Sequence, residues 1–230
     1  MKKRLVIIPA YNESGNIVKT VRDIQEKAKT FDYVIINDCS KDNTLDICIE
    51  NGFHVIDLPL NLGIGGGVQT GYMYALNHGY DIAVQFDGDG QHNASYLDEM
   101  ADVLEKEELD MVVGSRFIEN KGFQSSFMRR VGIRYFTLLI KILTGKTITD
   151  PTSGMRMVNR RVIKEFVNYY PKDYPEPESM VSLLKRGYKV KELAVEMNER
   201  EEGKSSISAL NSVYYMIKVS FAILIATVNR

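Results

Sequence analysis

The chain has 230 residues and a formal net charge of −1 at neutral pH, enough for a substantial core in one large domain or a domain with an appendage. The balanced charge excludes the global basic field of a nucleic-acid binder, so no nucleic-acid partner is expected. Its two cysteines, Cys39 and Cys48, have neither metal-ligand spacing nor a disulfide framework, which fits a reducing compartment.

Met1-Lys2-Lys3-Arg4 is basic, but the apolar run that follows is too short for a secretory leader, and none is expected. Residues 5–8 are continuously apolar, the pattern of a strand buried on both faces. Pro9-Ala10-Tyr11-Asn12-Glu13-Ser14-Gly15-Asn16 breaks the run. The spacing of Ile17, Val21, Ile24 and Ala28 then predicts a helix over 17–29. Residues 33–36 predict a second buried strand ending at Asn37-Asp38, residues 40–43 a helix start leading into 45–51, and residues 54–58 a third strand. Residues 61–67 read as a glycine-rich loop, 68–78 as a helix, and 82–86 and 111–114 as strands. Strands alternating with helices predict an α/β fold: a mostly parallel sheet covered on both faces, with ligands at the carboxyl ends of the strands. Glu13, Asp38 and Asp87 each fall just past a strand end and should converge on one crevice.

The second half differs. Between residues 121 and 146 every charged side chain is basic, interleaved with Phe127, Val131, Tyr135, Leu138, Leu139 and Ile142. This amphipathic segment reads either as a membrane-surface element or as a packed helix with a solvated face. Residues 150–156 predict a polar loop, 170–177 an irregular Pro-rich stretch, 178–186 a helix, 188–197 a region containing a strand, and 199–206 a charged loop. Residues 212–228 predict a mostly apolar helix interrupted by Lys218 and Ser220. No segment reaches the roughly 18 uninterrupted apolar residues of a membrane span.

The stretch Val84-Gln85-Phe86-Asp87-Gly88-Asp89-Gly90-Gln91-His92 carries the sharpest chemistry. An apolar run ends in two carboxylates separated by one glycine. Taken alone it is a strand closed by an Asp-Gly turn. It is also a place where a hard divalent cation, which prefers oxygen ligands, can be held against a diphosphate, a reading that the rest of the chain favours. His92, beside it, reads as structural or substrate-contacting, and Cys39 as a space-filler. Gly63-Ile64-Gly65-Gly66-Gly67 invites a dinucleotide reading, but it follows the third strand rather than the first, and Val68 stands where the last glycine of that fingerprint belongs. The loop remains suited to close approach by a nucleotide or pyrophosphate.

Three stretches now agree in order: Pro9-Ala10-Tyr11-Asn12-Glu13, Asn37-Asp38-Cys39-Ser40-Lys41-Asp42-Asn43-Thr44, and Asp87-Gly88-Asp89-Gly90-Gln91. The ordered set resembles the inverting family 2 glycosyltransferases of the GT-A fold, over essentially the whole chain. Within that family it is most similar to the enzymes that glycosylate dolichyl and polyprenyl phosphates. Gly114-Ser115-Arg116-Phe117, Asp150-Pro151-Thr152-Ser153-Gly154-Met155-Arg156, Glu176-Pro177-Glu178, and Arg200 with Gly203-Lys204-Ser205-Ser206 carry this likeness.

The resemblance implies that Pro9, Ala10, Tyr11, Glu13, Asp38, Gly63, Gly67, Asp87 and Arg116 bind a nucleotide-sugar donor, UDP-linked being favoured. It implies that Asp87, Asp89 and Gln91 hold Mg²⁺ or Mn²⁺ on the diphosphate. Arg200 and Lys204 match a basic loop that closes over phosphates, although their spacing and the serine pair depart from the subgroup pattern. Asp150, Ser153 and Arg156 are expected on the acceptor side. A hydroxyl acceptor would need a base, Glu176 or Glu178; a polyprenyl phosphate, with a second pKa near about 6, would not. Asp89, Glu176, Glu178, Arg200 and Lys204 are thus the candidate catalytic groups.

The expected organisation is a catalytic domain over 1–206, with a donor part to about 115 and an acceptor part beyond it. The helix of 207–230 would serve docking. Its partner would be the membrane surface, a small membrane-protein subunit or a second copy of the chain. The expected enzyme transfers a sugar to a polyprenyl phosphate at the cytoplasmic membrane face, attached peripherally. The alternatives are transfer to a sugar hydroxyl of a polysaccharide and a non-catalytic nucleotide-sugar-binding subunit.

Overall fold

A computed structural model describes residues 2–119, 127–198 and 209–228. Among the described residues, seven strands form one sheet in the order β3-β2-β1-β4-β6-β5-β7. The strands are β1 (Arg4–Ala10), β2 (Asp32–Asn37), β3 (Val55–Asp57), β4 (Ile82–Gln85), β5 (Met111–Ser115), β6 (Arg156–Asn159) and β7 (Val190–Ala194). Neighbours pair in parallel except β6, which runs antiparallel to both β4 and β5.

Alternation along the strands sends residues to two apolar layers. On one face Val6, Ile8 and Ile35 pack with α1 (Ile17–Lys27) and α4 (Leu97–Lys106), and with Cys48 of α2 (Thr44–Glu50). On the other, Leu5, Ile7, Val34 and Ile36 meet α3 (Gly63–Asn77), α6 (Arg160–Asn168) and α7 (Pro175–Lys185). The same layer takes Phe136 and Ile140 of α5 (Phe127–Thr144) and Val219 and Ile223 of α8 (Ala209–Val228).

The predicted strands and the first helix fall where periodicity places them. Three features differ. The glycine-rich stretch is not a loop: it forms the first turns of α3. Asp38 Oδ1 accepts the Leu62 N–H at 2.6 Å, and the Asn61 side chain accepts the Gly63 N–H at 3.1 Å, so the helix start is satisfied from outside despite its poor propensity. Gly65 is required by close approach, since a Cβ there would lie 2.1 Å from the Pro171 carbonyl oxygen. The polar loop of 150–156 runs into β6, which is only four residues long and opens on a buried arginine. Helix α7 starts at Pro175, earlier than the charge pattern suggests, with Pro in its first turn.

Candidate active site

The loops after β1 and β2 are laced together. Ser40 Oγ accepts the Asn12 N–H at 3.0 Å, Asn12 Oδ1 accepts the Lys41 N–H at 2.7 Å, and Thr44 Oγ1 accepts the Glu13 N–H at 2.9 Å. Asn12 and Cys39 hold positive φ, 57° in each, which turns the chain sharply at both strand ends. Between these loops, the start of α3 and the turn after β4 lies a cleft of about 440 Å³. Nine expected residues line it: Pro9, Ala10, Tyr11, Glu13, Asp38, Gly63, Gly67, Asp87 and Asp89. Asn61, Ile64 and Gly88, which belong to the same motif stretches but were not named as binding residues, complete the lining.

Asp87 sits at the floor. Its Oδ1 accepts from Gln85 Nε2 at 3.1 Å, and a Cβ on Gly154 would lie 2.5 Å from its Oδ2. The buried His92 accepts the Asp87 N–H on Nδ1 at 3.1 Å, which leaves the neutral ring's proton on Nε2, 3.8 Å from Asp87 Oδ2. The ring also stands edge-on to Phe86. Asp89 Oδ1 accepts the Gln91 N–H at 3.0 Å, tightening the turn. Among the described residues no group of three His, Cys, Asp or Glu side chains is placed to hold a metal. Two carboxylates on one turn, opening into a cleft of diphosphate size, do suit Mg²⁺ or Mn²⁺, which commonly take one or two carboxylates and complete their shell with phosphate and water.

The expected acceptor-side residues form a buried framework next to that floor. Asp150, fully buried, accepts from Arg116 Nε at 2.6 Å and from Arg116 Nη2 at 2.7 Å. Arg116 therefore faces Asp150 and is not among the residues lining the cleft. Ser153 Oγ donates to the Gly114 carbonyl at 2.6 Å. The buried Arg156 guanidinium donates to the carbonyls of Ser153 and Pro151 and to that of Glu176, tying the loop to the start of α7.

Helix α7 separates its two acidic residues. Burial raises the Glu176 carboxyl above the usual range, the Arg156 guanidinium opposes this, and the Asp87 charge adds to it. Glu176 thus belongs electrostatically to the floor of the cleft, through Gln85, which also accepts from Tyr170 Oη at 3.3 Å. Glu178 is also raised by burial, with the Tyr169 hydroxyl, which donates to it at 2.9 Å, opposing. It lines a different groove. Gln85 could have been noticed as a polar residue inside an apolar strand; Tyr170 carried no signal. Arg200 and Lys204 lie outside the described residues.

Residues 5–167 match the model of Glycosyl transferase family 2, and the chain belongs to that family. It is a glycosyltransferase with the GT-A fold. It is 26% identical to the polyprenol monophosphomannose synthase of Mycolicibacterium smegmatis, over 95% of this chain and 86% of that protein. It is 33% identical to the UDP-N-acetylglucosamine–dolichyl-phosphate N-acetylglucosaminyltransferase of Methanococcus voltae, over 69% of this chain and 70% of that protein. Its fold is similar to glucosyl-3-phosphoglycerate synthase of Mycobacterium tuberculosis, solved with Mn²⁺, UDP and glucosyl-3-phosphoglycerate. That match has a TM-score of 0.73 and 17% identity, covering 98% of this chain and 80% of that one.

Proposed function

We propose that this glycosyltransferase moves a sugar, with inversion, from a UDP-linked donor to a polyprenyl phosphate at a membrane surface. The observation that carries the donor half is the single cleft in which the residues after β1, β2 and β4 converge. The acceptor half is supported by relatives named for polyprenol and dolichyl phosphates, and UDP by the nucleotides in the names of a relative and a solved structure.

Pro9 to Glu13 and Asp38 hold the nucleoside between two mutually braced loops. Asp87 and Asp89, with Gln91, would hold the divalent cation. When bound, that cation supplies Lewis-acid stabilisation of the departing diphosphate. Arg200 and Lys204, which lie outside the described residues, would add positive charge to the same phosphates. An ionised acceptor phosphate attacks directly, so no base is needed. Glu176 then serves to set the field beside Asp87, and Arg156 keeps it there. Were the acceptor a sugar hydroxyl, Glu176 rather than Glu178 would be the base, since it adjoins the cleft floor.

The membrane reading rests on two helices with apolar residues on both sides. Helix α5 buries Ile133, Phe136 and Ile140, yet exposes Val131, Tyr135, Leu138 and Ile142 in a second stripe flanked by Arg130, Arg134 and Lys141. Helix α8 buries Val219 and Ile223 and exposes Ile217, Phe221 and Leu224. Tyr135 Oη lies 3.0 Å from Ser220 Oγ, joining the helices. Apolar outer stripes rimmed by basic groups fit an anionic lipid surface. Among the described residues no helix is long and apolar enough to cross a membrane.

The test is a donor screen with Mn²⁺ or Mg²⁺ and undecaprenyl phosphate in detergent, following labelled sugar into the lipid. Metal-dependent transfer supports the proposal. Donor hydrolysis without a lipid product points to a saccharide acceptor.

A further inference from the structure

Gln85 is fully buried at the end of β4, on the face that also carries Ala83. That face belongs to the apolar layer of Leu5, Ile7, Val34 and Ala83. Its backbone is held from both sides, in register with Ile7 of β1 and Arg156 of β6. An amide in such a layer costs free energy unless its polar atoms are bonded, and an aliphatic side chain would fill the place without that cost.

Both polar atoms of the amide are used. Nε2 donates to Asp87 Oδ1 at 3.1 Å, and the same side chain bonds the Glu176 carboxyl. Oε1 accepts from Tyr170 Oη at 3.3 Å. An ionised carboxylate only accepts, so Asp87 fixes the amide with its nitrogen inward and its oxygen toward the phenol. Tyr170 is buried, with the ring centroids of Phe166 and Tyr72 at 4.8 and 5.5 Å, and is not free to follow a turn of the amide.

The other neighbours of Asp87 give no comparable anchor. His92, 3.8 Å from Oδ2, sits in the same turn and takes its own place from the Asp87 N–H. Gly154 crowds Oδ2 without gripping it. The Gln85 amide is therefore the contact that ties this carboxylate to the sheet and, through Tyr170, to the helical layer behind it.

We infer that Gln85 is a positioning residue for cation binding: its amide, braced by Tyr170, locks the Asp87 carboxylate in the orientation that receives the metal. The inference rests on the reading of Asp87 as a cation ligand and adds what aims it. Groups that hold a metal ligand in place govern affinity almost as strongly as the ligand itself.

The test measures binding rather than turnover. UDP is titrated calorimetrically into the full chain in EDTA and at rising Mn²⁺ concentrations. The Mn²⁺ concentration that gives half of the gain in UDP affinity reads the metal site. Gln85→Met keeps the length of the side chain and removes both hydrogen-bonding atoms. It should raise that concentration about 10–100-fold and leave UDP affinity in EDTA at the wild-type value. Tyr170→Phe frees the amide to turn and should raise it less, in the same direction. Thermal midpoints identify the folded samples, and Tyr170→Phe carries the test where Gln85→Met does not fold. A wild-type Mn²⁺ response in the folded variants, with the response abolished in Asp87→Ala, overturns the role of Gln85 and leaves Asp87 a ligand. A loss of UDP affinity in EDTA as large as that in Mn²⁺ also overturns it, since the site is then damaged as a whole. If Asp87→Ala keeps the wild-type response, the metal placement and the role of Gln85 fall together.

Discussion

Gly154→Ala tests how tightly the site is built around Asp87. The new Cβ would lie 2.5 Å from Asp87 Oδ2 and 3.1 Å from its Cγ and Oδ1, whereas ordinary contact begins at 3.4 Å. The carboxylate must retreat by about 0.9 Å, because it is the movable partner of the clash. Gln85 at 3.1 Å and His92 at 3.8 Å already flank it, so the retreat turns the carboxylate away from its present line of approach to the cleft. Metal sites tolerate about 0.2 Å in ligand distance, and disturbing an oriented ligand costs about 10–100-fold in metal affinity. The half-saturating Mn²⁺ concentration for sugar transfer should therefore rise by about that factor. Overpacking adds about 1–3 kcal/mol of destabilisation. Mn²⁺ titrations of initial rate, paired with thermal melts, read both effects. A variant with the wild-type Mn²⁺ curve and wild-type kcat/KM refutes the placement of Asp87 as a cation ligand.

Asp89→Ala should abolish metal-dependent turnover while leaving the circular dichroism spectrum intact; normal turnover would remove Asp89 from the metal site. Arg116→Ala should cost about 3–5 kcal/mol in urea denaturation, because it leaves the buried Asp150 carboxylate without its partner; a loss below about 1 kcal/mol would show that pair to be dispensable. Glu176 is raised above its ordinary value of 4.5, so it stabilises the fold fully below that value and loses its contribution as pH climbs through the raised value. Glu176→Gln should consequently gain in thermal midpoint over the wild type as pH rises through that window, and a pH-independent difference would contradict the burial. Leu138→Glu, on the exposed stripe of α5, should reduce co-sedimentation with anionic liposomes at unchanged turnover of a short soluble acceptor; unchanged sedimentation would count against the stripe as a lipid contact.

Much of the candidate cleft was legible because its determinants are local. Continuous apolar runs at residues 5–8, 33–36 and 82–86 mark strands buried on both faces, and parallel order puts whatever follows each run on one edge. Glu13, Asp38, Asp87 and Asp89 could be brought together on that basis. The rest is set by long-range packing. Nothing in Gly63 to Gly67 announces a helix, since its start is completed by Asp38, 24 residues away from Leu62. Strand β6 is four residues opening on an arginine, and only its insertion between β4 and β5 defines it. Glu176 and Glu178 are equivalent in the sequence, and differ because Arg156 fastens the carbonyl of one to the 150–156 loop while Tyr169 meets the carboxylate of the other.

The reversed direction of β6 has an architectural outcome. A strand that leaves the sheet and a neighbour that returns antiparallel share one rim, so the excursion from Arg116 to Met155 departs and re-enters beside the same catalytic edge. Its two ends are riveted there, by Arg116 to Asp150 and by Ser153 to the Gly114 carbonyl. Helix α5 lies within this excursion, its Phe136 and Ile140 packed into the core layer and its outer stripe exposed. The exposed stripe of that helix can therefore be altered while its buried residues and the two rivets keep the sheet edge in place.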